Sequence, residues 1–237
     1  MESSLKFSFM FFVHLEFTYT TNDAVGQNIV TIATQKICDE LLTIKTLNSR
    51  LVFEKSFVEG NTTAGKKLSL MRSFTTRGVK VRSWGIVSKD ACLKYLKVHP
   101  KDIFRLYIEA MQSSIWTSTL GMNINSTMIL AAIYLSCGQD AGSIAESSWS
   151  QLSMDIDDDD NLHISLYFPS LLVGMVGGGT QYSDQSKHLK MMDCLGVGRK
   201  MAFTKTVASF CLALELSTIA AVSNNTYVNA HQTSARL

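Results

Sequence analysis

The chain has 237 residues, 46% hydrophobic and 18% charged, which is enough apolar material for one large or two small cores and too little charge for disorder. A net charge of +2 with no basic stripe among aromatics argues against a nucleic-acid binder. Five scattered cysteines (Cys38, Cys92, Cys137, Cys194, Cys211) without a C-x-x-C pair indicate reduced, buried thiols, a cytoplasmic location and no metal site.

The opening run Phe7-Ser8-Phe9-Met10-Phe11-Phe12-Val13 is too short to span a membrane and has Lys6 and Glu16 close by. Alternation of Val13, Leu15, Phe17 and Tyr19 with polar neighbours predicts a strand over residues 11–20. A turn at 21–26 leads into a helix of about fifteen residues, with Ile29, Ala33, Ile37 and Leu41 on one face. Asp23 and Gly26 there have two readings: a capping carboxylate with a tight turn, or a backbone cradle for an anionic cofactor group.

Residues 51–58 read as a strand and 59–67 as a polar loop with Lys66 and Lys67. A strand is expected over 79–87, and an amphipathic helix over 102–113 with Phe104, Tyr107, Ile108 and Met111 inward. Residues 125–137 read as a buried helix, with a second helical piece to Ser147. Asp140 follows the apolar run 128–135, so it is expected in the interior, paired with a cation. The acidic run 155–160 lacks the glycine and distal glutamate of a calcium loop and reads as a solvated hairpin tip.

Residues 162–172 are β-like, broken by Pro169. Gly177-Gly178-Gly179 allows either a flexible turn or close approach of another backbone or a ligand. Helices are expected over 184–194 and 202–224, the second mostly apolar; its stretch 207–222, interrupted by Glu215, is short for a membrane span. His231 and Arg236 lie in a tail beyond it, where a histidine is ordinarily surface decoration.

Six motifs occur in order: Asp23-Ala24-Val25-Gly26-Gln27-Asn28; Gly60-Asn61 before Lys66-Lys67; Gly138-Gln139-Asp140-Ala141; Pro169-Ser170 with Gly177-Gly178-Gly179-Thr180; Cys194-Leu195-Gly196-Val197; and Glu215-Leu216-Ser217. Together they resemble the catalytic domain of the 3-hydroxy-3-methylglutaryl-CoA (HMG-CoA) reductase family, of the eukaryotic kind, from about His14 onward. The resemblance implies an α+β fold: an incomplete ferredoxin-like cofactor-binding subdomain (1–57), a mostly helical large domain with a short sheet (58–225) and a flexible tail (226–237).

It also implies an NADPH-dependent oxidoreductase of the mevalonate pathway. An acyl-CoA thioester is reduced by two hydrides, through a hemithioacetal and an aldehyde, to an alcohol. By the same resemblance Lys66, Asp140 and His231 are catalytic. Lys66 stabilises charge on the substrate oxygen, Asp140 places it, and His231 protonates the coenzyme A thiolate. Asp23, Ala24, Val25, Gly26, Gln27, Asn28 and Arg236 bind the cofactor, and Asn61, Lys67 and Asn125 the substrate.

The chain departs from the family pattern at several positions. No residue is matched to the glutamate of the family's upstream E-N-V-I-G-like motif, which the resemblance puts outside this chain. Gly65 stands where the family has aspartate, Asn125 where it has histidine, Met128 where it has asparagine, and Leu120-Gly121 where it has a glycine pair. These departures support a second reading, a redox-inactive accessory or cyclising protein on the same half-fold. A homodimer or higher oligomer is expected to cover the apolar surface left open.

Overall fold

A computed structural model describes residues 2–9, 12–43 and 54–234. Helix and sheet segregate as in an α+β protein, and two compact units divide between Gly65 and Lys66. The sequence expectation placed this boundary at 57/58.

In the first unit, β1 (Glu2–Phe9) and β2 (Phe12–Thr18) pair antiparallel, with a register shift between Leu5 and Phe7. Helix α1 (Gln27–Thr43) follows a tight turn and buries Cys38. Tyr19 Oη lies 2.9 Å from Thr34 Oγ1 on α1. Residues 54–58 are irregular where a strand was expected: both described strands pair only with each other, and a lone extended segment has no ladder partner. Residues 51–53 of that expected strand lie outside the described residues.

The second unit opens with α2 (Met71–Phe74) and holds a three-stranded antiparallel sheet ordered β3–β5–β4. Strand β3 (Val79–Val87) has the expected bounds and alternates between half-buried and exposed positions. Strand β4 (Gln151–Ile156) buries Leu152 and Met154, and β5 (Leu162–Leu171) buries Leu162, Ile164, Leu166 and Phe168. The expected break at Pro169 is absent, because the β3–β5 register shifts between Val79 and Val81 and β4 pairs only as far as Tyr167. A bulge beyond the last β4 partner is where a residue without an N–H is tolerated.

After β3 a short helical step, α3 (Lys89–Ala91), runs into a π-turn at Cys92–Leu96. Helix α4 (Pro100–Trp116) starts two residues earlier than expected. His99 Nδ1 accepts the Lys101 N–H at 3.2 Å, and Pro100 occupies the first turn, where its missing N–H costs nothing. Helices α5 (Ser126–Ser136), α6 (Ile144–Ser147), α7 (Ser183–Met191) and α8 (Lys200–Ser223) complete the unit. Helix α9 (Tyr227–Ser234) occupies most of the stretch expected to be a flexible tail.

Among the described residues α8 alone is long and apolar enough to cross a membrane by length and composition. It packs on α4, α5, β3 and β5, and Phe203, Val207, Ala208, Cys211, Glu215 and Ile219 make it a core helix. Its mostly apolar sequence is that of a helix contacted on several sides.

Candidate active site

Helix α5 is apolar from Met128 to Leu135 and buries Leu130 and Tyr134 fully. The loop before it is tied to β4: Met122 N–H donates to the Ser150 carbonyl at 3.0 Å, and Leu152 N–H to the Met122 carbonyl at 2.6 Å. Its N-terminus receives the buried carboxylate of Glu215 from α8, which accepts the Ile124 and Asn125 N–H groups and the Ser126 hydroxyl, each at 2.7 Å. Three donors and the helix dipole make a negative charge tolerable in the core. Asn125 Nδ2 donates to Thr218 Oγ1 at 3.1 Å, so this expected substrate residue is anchored to α8.

The Cys137-Gly138-Gln139-Asp140 turn that ends α5 is set by two contacts. Gly138 has φ +65°, and a Cβ there would fall 2.2 Å from the Gly179 carbonyl oxygen. Gln139 is buried; its Oε1 accepts the Gly174 N–H at 2.8 Å, and its Nε2 donates to the Gly174 carbonyl at 3.0 Å and the Cys137 carbonyl at 3.2 Å. Of the two readings of the glycine run, close backbone approach therefore holds at Gly179.

Asp140 emerges from this turn 31% exposed, where burial was expected; the side chains the turn buries are Cys137 and Gln139. The expected cation is present: Lys66 Nζ lies 3.2 Å from Oδ1 and 3.1 Å from Oδ2. Ser143, fully buried, donates to Oδ2 at 2.5 Å. Partial burial pushes the Asp140 carboxyl up, but the Ser143 hydroxyl, the Lys66 ammonium and the Gly142 N–H outweigh it and hold the group below the ordinary carboxylate range. Lys66 is half-exposed, so the pair alone is worth only about 0–1 kcal/mol.

Lys66 is fixed at its backbone as well. It has φ +61°, a left-handed conformation costing a side-chain-bearing residue about 1–2 kcal/mol. Its N–H donates to Glu146 Oε2 at 3.0 Å. Glu146 is fully buried on α6, and Arg77 grips it with Nε at 3.1 Å and a terminal nitrogen at 2.5 Å. Neither Glu146 nor Arg77 was singled out in the sequence; their separation of 69 residues leaves no local signal.

The remaining expected site residues are placed as follows. Asp23, Ala24, Val25, Gly26, Gln27 and Asn28 form the turn and first helical residues of α1 in the first unit. Gly26 has φ +81°, and a Cβ would meet Thr21 Cγ2 at 2.2 Å, so glycine alone closes this turn. Thr21 Oγ1 donates to the Ala24 carbonyl at 3.0 Å. Asn61, in the same unit, is exposed with φ +64°. Lys67 is exposed in the second unit. His231 belongs to α9, described by its backbone only, and Arg236 lies outside the described residues.

The site thus defines a class: an α+β protein presenting a loop lysine against the aspartate of a helix-end turn. The family model for hydroxymethylglutaryl-coenzyme A reductase matches residues 4–236. The chain is 32% identical to the 3-hydroxy-3-methylglutaryl-coenzyme A reductase of Methanocaldococcus jannaschii over 218 residues, 91% of this chain and 53% of that protein. For the enzyme of the same name from Pyrococcus horikoshii the figures are 30%, 93% and 54%, and for 3-hydroxy-3-methylglutaryl-coenzyme A reductase 2 of Capsicum annuum 30%, 92% and 37%. The chain belongs to the hydroxymethylglutaryl-coenzyme A reductase family. It spans about half the length of the archaeal relatives and less of the plant one.

Proposed function

We propose that the chain carries an HMG-CoA reductase-like activity: NADPH-dependent reduction of an acyl-CoA thioester, HMG-CoA to mevalonate or a related substrate. The Lys66–Asp140 pair, held by Ser143 at one end and Glu146 at the other, carries this reading. The first unit, a hairpin with α1, is read as part of a ferredoxin-like cofactor-binding subdomain. Its Gly26 turn fits an anionic group, because it sets the first-turn N–H groups of a 17-residue helix behind a sharp glycine corner.

NADPH, when bound, supplies the reducing equivalents. The protein's own part is electrostatic and acid–base. Lys66 Nζ presents a positive charge to the substrate carbonyl oxygen as it becomes negative, and Asp140, held ionised, keeps that ammonium in place. His231 gives its proton to the departing thiolate sulfur. Asp23 to Asn28 and Arg236 hold the cofactor, and Asn61, Lys67 and Asn125 the acyl-CoA. Five buried, unbridged thiols fit a cytoplasmic setting, which fractionation of tagged protein tests.

The decisive experiment is NADPH binding by fluorescence, then NADPH consumption with HMG-CoA. Binding is expected, as is turnover lost in Lys66→Ala. Absence of NADPH binding overturns the reading in favour of a redox-inactive relative.

A further inference from the structure

We propose that Arg77 and Glu146 are positioning residues that set the Lys66 ammonium against Asp140. The proposal deepens the reading above and rests on it for its purpose. Three observations converge. Glu146 is a fully buried carboxylate whose Oε2 is shared between the Arg77 guanidinium and the Lys66 N–H. Lys66 occupies a left-handed conformation, φ +61°, which needs an external hold. The Lys66 side chain lies over Gly142, where a Cβ would fall 2.8 Å from Cδ and 3.2 Å from Nζ.

The geometry separates this couple from an ordinary buried ion pair. Arg77 alone needs no third partner, yet the carboxylate also accepts, on the Oε2 it shares with Arg77, the backbone N–H of a residue 80 positions earlier. The half-exposed Lys66–Asp140 contact is too weak to fix a long, rotatable lysine by itself. A charge-assisted bond to the lysine's own N–H fixes where its side chain starts, and the bare surface of Gly142 fixes where it runs. Arg77 is required because a carboxylate buried without a counter-charge is strongly disfavoured. The groups facing Asp140 are Lys66, Ser143 and the Gly142 N–H, and the Tyr134 phenol senses its charge.

The test uses the full chain with 13C-labelled aspartate carboxyls, the Asp140 signal being assigned by its loss in Asp140→Asn. The carboxyl is titrated by NMR in wild type, Lys66→Ala, Glu146→Gln and Gly142→Ala, alongside amide spectra that report the fold. Lys66→Ala gives the upward shift expected when the ammonium is gone. Glu146→Gln is expected to recover at least half of that shift with the amide spectrum still folded. Gly142→Ala is expected to shift the titration the same way, with Arg77 and Glu146 untouched.

If Glu146→Gln does not fold, Arg77→Lys keeps the charge and breaks the two-pronged grip, and an upward shift is again expected. A wild-type Asp140 titration in the folded variant of Glu146 or Arg77 overturns the proposal. Because the readout needs neither NADPH nor turnover, an inactive chain and an absent couple give different results.

Discussion

Asp157 accepts the Asn161 N–H at 2.8 Å, the Asp159 N–H at 3.0 Å, Asn161 Nδ2 at 3.1 Å and His163 Nε2 at 3.1 Å. The Asn161 N–H first, then His163, pull its carboxyl from 3.8 down to about 2. A carboxylate depressed on folding stabilises the β4–β5 tip above its unfolded value, and that contribution is lost as pH falls through the folded one. The Asn161 amide shift, followed by NMR down to acid pH, should therefore titrate with a midpoint near 2; a midpoint near 3.8 would contradict this. The acidic run is also less solvated than its composition suggests. Asp160 is 18% exposed and is held by Lys101 at 2.6 Å and Lys89 at 3.0 Å. Residue types identified a tip, but not the two lysines brought to it from the β3–α4 side of the chain.

The Cys137–Asp140 turn depends on two backbones meeting. Gly138→Ala adds a Cβ 2.2 Å from a carbonyl oxygen at φ +65°, with a cost of about 1–3 kcal/mol or more. Gly85→Ala, whose Cβ meets nothing within 4 Å, should stay within about 0.5 kcal/mol. Thermal unfolding of the two variants checks the contrast. What the sequence revealed about elements followed the range of the forces involved. The alternation of β3 is local, so its bounds could be read directly. The start of α4 turned on a cap at His99, and the passage of β5 through Pro169 on a bulge against β3. The Asp140–Lys66 pairing came through family likeness, whereas the Glu146–Arg77 couple and the Glu215 clamp join segments 69 to 91 residues apart, which no window of sequence reports.

At the scale of the molecule, several large apolar side chains face outward. Trp84 is 71% exposed and Ile86 55% exposed on β3, an edge strand of its sheet. Exposed apolar side chains of this size invite packing, in keeping with the proposed homodimer or higher oligomer. Light scattering at micromolar concentration should give at least twice the chain mass, and a monomer would remove that proposal. The Glu215 clamp has a further consequence, in the order of synthesis. Its three bonds to α5 reach back 89 to 91 residues. While the chain grows from the ribosome, the first turn of α5 stands without its anion until α8 has emerged. The N-terminal end of α5 is therefore completed late, well after its own residues are made.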